Sequence, residues 1–491
     1  MEQELEKKQN FLYENSKSII ALILIFALVL RLKYLTVNSA LWFDEAEYLA
    51  MAKNWAFGIP FSIPDVRPVL LPFFAFIFYK IGVSPEMPLR IIELIFSIGG
   101  VYLGYLLGKE IYNKQIGLLS AFFMSIFYLH IIFTTRILTD MPTTTLWTLA
   151  AYLFWKWHKD KSVFHIHLAA LVIGLGILMR FPFGLIIIAF FLYLLIVKGL
   201  KFLKIKEIWT SIAVVFLVLV PYFLWFYMKF NKIAIISTGG YYDYVFLLWD
   251  YVKVYYTYFY SPAYVLFLLF LIGLGAFLFK LVIGLDLIRK NSSLQKKLFI
   301  LLLFIVPFAY FGFVNQLEPR YLFYTFPSAF LIISFIVSSV YNYIEEHNKH
   351  IAIVAIVLLL TFSAVYQIRF ADDEISTRKD SYLEYKFAGK WIKDNSNSDD
   401  VILSDGAAQL AYYSEREVIG WGDKEDFNEL INERKPRYVL LSKSERSPGW
   451  AYEVPLNNPE VFVFIFGYDN SGNILYDKDQ LALLRAYEVK Y

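Results

Sequence analysis

The stretch "AALVIGLGILMRFPFGLIIIAFFLYLLIVKGLKFLKIK", residues 169–206, decides what kind of chain this is. Two apolar runs are parted only by Arg180, Phe181 and Pro182, and the second run ends in Lys198, Lys201, Lys204 and Lys206. As α-helix, about 20 apolar residues cross the ~30 Å hydrocarbon layer of a bilayer. Each run therefore reads as a membrane-spanning helix. Lysine-rich connections stay on the cytoplasmic side, so the lysine cluster lies inside and Arg180 at the outer end of its span.

The same pattern recurs outward in both directions, near 17–36, 90–108, 115–133, 141–157, 165–180, 182–198, 208–228, 262–285, 298–314, 320–342 and 350–369, about eleven spans. With a cytoplasmic N-terminus the inner connections are 109–115, 156–164, 198–207, 286–297 and 343–349, which carry Lys109, Lys114, Lys156, Lys159, Lys161, Arg289, Lys290, Lys296, Lys297 and Lys349. An odd number of spans then sends the chain beyond Phe370 outside. Lys7, Lys8 and Lys17 before an apolar run to Leu30 resemble a signal peptide. That run is long and lacks a small-residue cleavage site, so it reads as a retained first helix.

Composition agrees. Of 491 residues 58% are hydrophobic and 19% aromatic, with a mean hydropathy of +0.52, more apolar surface than one soluble core buries. Residues 1–369 hold 31 Lys and Arg against 20 Asp and Glu (+11), and residues 370–491 hold 15 against 23 (−8). Two solvents are implied, and with them a membrane domain, 1–369, and a soluble extracytoplasmic domain, 370–491. The absence of cysteine excludes disulfides, thiolate metal ligands and a cysteine nucleophile, leaving carboxylates, hydroxyls and histidine for any chemistry. No GxGxxG, P-loop or HExxH motif is present, and no nucleic acid partner is implied. His158, His165 and His167 fall on the cytoplasmic side, and His130 alone makes no metal site.

The first outer loop, 37–89, is long enough for two helices. "DEAEYLAMAKNWAFG" puts Tyr48, Leu49, Ala52, Trp55 and Ala56 on one face, with Gly58 to end the helix; it reads as interfacial. "RPVLLPFFAFIFYKIG", from Arg67, is too short to span and reads as surface-lying or re-entrant. The aromatic segment 229–261 is either a lid hinged at Gly239 and Gly240 or an ordinary aromatic belt. The tail alternates helices (Leu383–Lys393, "AAQLAYYS", "KEDFNELINE") with strands ("VILS", "REVIG", "RYVLLS") and ends in the hairpin "VFVFIFGYDNSGNILYD", a small α/β domain.

Three groups of residues carry candidate chemistry. Asp44 and Glu45 are adjacent carboxylates just outside the first span. A carboxylate at the lipid edge suits a general base, and Asp44 with Glu47 also fits a capping box; the two readings are compatible. "TTRILTD" brings Arg136 and Asp140 to the same membrane side, and Asp140 before Met141 and Pro142 equally fits a helix N-cap. "NQLEPRYLFYTFP" sets Glu318, Arg320 and Tyr321 at an outer end, where a guanidinium suits a phosphate and where a snorkelling anchor is the plainer alternative. Arg31, Glu93 and Arg180 fall at outer ends of spans, where charge is costly and defaults to function. All these groups gather at one end of the bundle instead of at its midplane, which disfavours a transporter.

In these pieces the chain resembles the GT-C class of membrane glycosyltransferases, in the protein O-mannosyltransferase and lipid A aminoarabinose transferase branch. The resemblance rests on Arg31, "LWFDEAEYLAMA", "RPVLLPF", "RILTD" and "LEPRYLFYTFP", with "AGKWIKDNSNSDDVILSDGAAQLAYYS" similar to the extracytoplasmic domain of many members. It implies a polyprenyl (dolichyl) phosphate sugar as donor, transfer with inversion, and a lipid, glycan or protein acceptor. It also implies Asp44 as catalytic base, Glu45 orienting beside it, Asp140 as a second site carboxylate, and Arg320 and Tyr321 on the lipid phosphate, with Arg136 and Arg31 near by. Many relatives carry His/Tyr-Pro-Pro where this chain has Arg67, Pro68 and Val69, so Arg67 is expected to add a phosphate contact. No cofactor is required; the oligosaccharyltransferase relatives use a divalent metal, for which Asp44, Glu45 and Asp140 would be the ligands here. The competing functions are a lipid-linked sugar flippase, an oligosaccharide polymerase or ligase, and a scaffold acting through its tail.

Overall fold

The computed structural model describes residues 15–62, 67–232, 265–313, 318–445, 447–469, 473–477 and 481–491; the aromatic segment read as a lid falls almost entirely outside them. In chain order the helices of residues 1–378 are α1 (Ser16–Leu32), α2 (Phe43–Phe57), α3 (Leu70–Lys80), α4 (Glu86–Ile111), α5 (Lys114–Ile126), α6 (Tyr128–Thr134), α7 (Asp140–Asp160), α8 (Val163–Met179), α9 (Leu185–Lys198), α10 (Lys206–Phe230), α11 (Val265–Ile283), α12 (Ser292–Phe311), α13 (Phe326–His347) and α14 (Lys349–Arg378). The tail follows as α15 (Leu383–Asn395), β1 (Val401–Leu403), α16 (Ala407–Ser414), β2 (Glu417–Ile419), α17 (Phe427–Arg434), β3 (Tyr438–Ser442), α18 (Val454–Asn457), β4 (Phe462–Tyr468), β5 (Ile474–Leu475) and β6 (Leu484–Val489).

Every apolar run of the sequence is helical, yet among the described residues seven helices are long and apolar enough to cross a bilayer, or eight if the bent pair α5 and α6 forms one span. Two expectations change in detail. The run 320–342 begins as a 3-10 turn over Pro319–Tyr324, and the α-helix starts only at Phe326, with Pro327 in its first turn. The run 115–133 breaks at Phe127, whose extended backbone (φ −61, ψ 121) bends the helix axis by 57°.

A helix broken inside a membrane needs partners for its freed backbone groups, and here it has them. Arg31, 1% exposed, donates to the carbonyls of Ser125 (2.9 Å) and Met124 (3.5 Å) at the end of α5. The freed amide of Tyr128 donates to Gln367 Oε1 of α14 at 3.1 Å. Nearby, α4 and α5 approach so closely that a Cβ on Gly108 would sit 2.8 Å from the Gly117 Cα; only glycine permits that crossing.

The chain forms two compact units: 1–35 with 65–70 and 90–374, and 36–64 with 71–89 and 375–491. In the second unit six strands run in the order β2-β1-β3-β6-β4-β5, with β1 parallel to β2 and β3, and the remaining pairs antiparallel. The sheet has a core on each face. Tyr438 and Leu440 pack with Tyr385, Ala388, Ile392 and Leu410 on one side; Val439 and Leu441 pack with Trp421 and Phe427 on the other. All of β3 is therefore buried, as a central strand covered on both faces must be. The tail elements read from sequence are all present, and β6, which sequence reading missed, lies at the centre of the sheet.

Residues 36–64 and 71–89 belong to this same unit, and the joints are polar. Ser39 donates to the Lys379 carbonyl (2.8 Å) and, through its hydroxyl, to Asp380 (2.6 Å). The Tyr413 hydroxyl accepts from the Leu41 amide at 3.1 Å. Lys53 donates to the Tyr412 carbonyl and to Glu415, both at 2.9 Å, and Tyr412 donates to Glu86 at 2.7 Å. Helix α16 thus lies along α2, which ends at Gly58 in the left-handed conformation (φ 72) that favours glycine.

Candidate functional site

In the membrane unit the site starts from the turn 135–139 between α6 and α7. The buried Arg90 guanidinium donates to the Thr135 carbonyl, fixing the turn from outside. Arg136 within it is 2% exposed. Helix α7 takes Thr139 as N-cap and Asp140 as its first residue, one position from the N-cap role the sequence suggested. Asp140 is free for another role, and its carboxylate, 1% exposed, is paired with Arg180 at the end of α8.

Arg180 does more than neutralise Asp140. Its guanidinium lies 5.4 Å from the centre of the Tyr321 ring, a cation–π contact. Tyr321 stacks on Phe311 at 5.1 Å, and one turn along, Tyr324 packs against Trp147 of α7 at 5.0 Å. Arg320 leans toward Glu318 at 3.6 Å and is 20% exposed. So "RILTD" and "PRYLFY", 180 residues apart, are joined through one arginine. Arg180 stood in the sequence only as a charge at an outer span end; the cost of placing it there was the signal that it had a partner. Arg67 is half-buried in the stretch before α3.

Arg31 is engaged elsewhere. Besides the two α5 carbonyls it donates to Ser97 (2.6 Å) and to the Ala27 carbonyl (3.1 Å), and lies 2.8 Å from His130 Nδ1. All five guanidinium donors thus face protein acceptors, and the geometry gives Arg31 to the helix break instead of to a lipid phosphate.

In the second unit, α2 carries the adjacent carboxylates on unequal terms. Glu45, fully buried, accepts from the Trp42 amide at 2.8 Å. It is therefore the capping residue, at the third position of the helix, where the sequence suggested Glu47. Asp44 beside it is half-buried. Among the described residues no three carboxylate, histidine or cysteine side chains converge to hold a metal ion.

Comparison with known proteins agrees with this architecture. The family model for dolichyl-phosphate-mannose-protein mannosyltransferases matches residues 66–225. An uncharacterized protein of Aquifex aeolicus is 29% identical over 217 residues, 42% of this chain and 43% of that one; the match spans less than half of that relative. ArnT of Cupriavidus metallidurans, solved with undecaprenyl phosphate, superposes with a TM-score of 0.67 at 12% identity, covering 95% of this chain and 97% of its own. The oligosaccharyltransferase AglB of Archaeoglobus fulgidus, solved with an inhibitory peptide and a dolichol-phosphate, gives 0.59 at 13% identity over 95% of this chain and 75% of its own. The chain is a multi-pass membrane protein with the fold of these solved structures, and its residues 66–225 resemble the mannosyltransferase family. A small strand-containing domain at the C-terminus completes this fold.

Proposed function

We propose that the protein transfers a sugar, with inversion, from a polyprenyl phosphate donor to an acceptor hydroxyl on the extracytoplasmic side. In this reading Asp44 accepts the proton of the attacking hydroxyl as its oxygen bonds to the anomeric carbon. The bond from that carbon to the phosphate oxygen breaks, and the electron pair leaves with the polyprenyl phosphate. Phosphate is a good leaving group, so one base and cations at the phosphate suffice. Arg320 and Tyr321 hold the phosphate, with Arg136 and Arg67 adding positive charge; Asp140 keeps Arg180 in place under Tyr321. The lysine-rich connections, which the positive-inside rule puts in the cytoplasm, support the outer location.

The observation that supports this reading best is the joint made by Arg180 between Asp140 and Tyr321, which assembles a carboxylate, cations and an aromatic hydroxyl at the ends of α7, α8 and the 319–324 turn. Proteoliposomes holding the protein, a labelled polyprenyl phosphate sugar and extracted envelope acceptors provide the test. Wild type releases polyprenyl phosphate and labels the acceptor, and Asp44→Asn does neither. Unaltered transfer by Asp44→Asn rejects the base assignment. Movement of the labelled lipid across the bilayer without release of polyprenyl phosphate marks a transporter instead.

A further inference from the structure

We infer that the lysine-rich end of the membrane unit holds a site for an anionic phospholipid: Lys161, Lys198 and Arg289, brought by three separate connections to the end of α9, take the headgroup phosphate. The site lies at the opposite end of α7 from Asp140, 21 residues and about 30 Å of helix away. It is therefore separate from the proposed transfer site and independent of that reading.

The geometry begins where α7 and α9 end side by side. The Tyr193 hydroxyl of α9 lies 3.1 Å from His158 Nε2 of α7. One residue earlier, the buried Trp157 ring carries two cations: Lys198 Nζ lies 5.1 Å and Lys161 Nζ 5.7 Å from its centre, both within cation–π reach. Lys161 closes α7 with φ 58, a conformation that glycine adopts more readily, and its ammonium donates to the His158 carbonyl. Arg289 arrives from the turn before α12. Its Nε donates to the Ile196 carbonyl at 3.2 Å, and a Cβ on Gly199 would sit 3.4 Å from its Nη2. Gln295 of α12 fixes that turn by donating to the carbonyls of Ile288 (3.0 Å) and Arg289 (3.1 Å).

The open carbonyls of two helix ends attract cations, but they use only part of what these three offer. The carboxylates of this end are engaged elsewhere: Glu110 pairs with Lys159 at 2.9 Å, and Asp160 lies 3.4 Å from His165 Nδ1. Among the described residues no carboxylate pairs directly with Lys161, Lys198 or Arg289. The surplus charge is felt within the cluster. Burial, and then the charge of Lys198, push the Lys161 ammonium below its ordinary value, and burial lowers Lys198 as well; Asp160 and Glu207 offset this only in part. A phosphate among the three cations relieves their repulsion and accepts charged hydrogen bonds from each.

The surrounding surface makes that phosphate a lipid's. Leu200 and Leu203 follow Lys198, Leu285 and Leu287 precede Arg289, and all four are exposed. Exposed leucines interleaved with cations at the ends of membrane spans fit acyl chains on one side and an anionic headgroup on the other. A soluble phosphate makes no use of them.

The experiment titrates the full-length protein in detergent with phosphatidylglycerol or phosphatidylcholine and reads bound lipid by native mass spectrometry. Wild type is expected to prefer phosphatidylglycerol. Lys161→Gln together with Lys198→Gln, which removes two charges, should bind it about 30-fold more weakly and leave phosphatidylcholine binding unchanged. Lys349→Gln, which removes an exposed lysine from another connection, should bind both lipids as wild type does. Arg289→Gln leaves the Trp157 contacts intact and should weaken phosphatidylglycerol about fivefold, which keeps the inference testable if the double variant does not fold. Equal binding of the two lipids by wild type overturns the inference, as does phosphatidylglycerol binding unchanged in Arg289→Gln and in the double variant. Displacement of phosphatidylglycerol by an equal concentration of inorganic phosphate also overturns it, marking a site for the free anion.

Discussion

Removing Arg180 should damage the protein more than removing both Arg180 and the charge it neutralises. The Asp140 carboxylate is 1% exposed and Arg180 13%, so the pair is buried. Breaking such a pair from one side leaves an uncompensated buried charge and costs about 3–5 kcal/mol, whereas replacing both partners by uncharged groups of similar size is often close to neutral. Arg180→Met is therefore expected to melt several degrees below wild type in detergent, and Asp140→Asn together with Arg180→Met to recover most of that loss. Donor-dependent transfer should stay low in both variants, because Tyr321 has lost the cation beneath its ring. Thermal unfolding of the four corners of this double-mutant cycle gives the coupling energy. Equal melting of Arg180→Met and wild type, or a double variant no better than Arg180→Met, would refute the argument that this pair is a buried mutual neutralisation.

Other consequences follow from single contacts. Glu45→Gln, which can still accept from the Trp42 amide, should keep stability and transfer, whereas Glu45→Ala should lose about 1 kcal/mol of helix stability and displace Asp44; equal loss in both would show that the charge itself orients substrate. Arg320→Ala should raise the donor KM about 10- to 100-fold, the worth of a charged hydrogen bond of about 1.5–3 kcal/mol, with a smaller change in kcat, as read from initial rates at varied donor. In the C-terminal unit, Lys393 and Lys53 hold the Glu415 carboxyl below its ordinary 4.5 against the upward push of burial. Its contribution to stability is then present above about 4.5 and lost as pH falls through the depressed folded value. Acid unfolding of Glu415→Gln should accordingly show a shallower pH dependence below 4.5 than wild type.

The helices were legible because lipid demands long apolar runs, and so were the lysine-rich connections and the pieces of the first outer loop. The break at Phe127 was not. It carries no proline or glycine and is stabilised by Arg31 and Gln367, which lie 93 and 239 residues away in sequence from the groups they satisfy. Strand β6 escaped for a different reason: "LRAYEV" mixes charges with apolar residues, and its place between β3 and β4 comes from the register of its neighbours. At the site, sequence identified Asp44, Asp140, Arg320 and Tyr321 as residue types in suitable places. It did not show that Arg180 pairs with Asp140, because the two lie 40 residues apart in the chain and meet only where α8 packs beside α7. Nor did it divide Asp44 from Glu45, since both fit a first helical turn until the Trp42 amide takes one of them.

The central claim, inverting transfer with Asp44 as base, is tested most directly by the anomeric configuration of the product. Purified protein in proteoliposomes is given a polyprenyl phosphate sugar labelled with 13C at the anomeric carbon, and the one-bond coupling of that carbon is read by NMR before and after transfer. The account predicts a product of opposite anomeric configuration in wild type and a rate at least about 100-fold lower in Asp44→Asn. A product with retained configuration, or an Asp44→Asn variant as fast as wild type, contradicts it.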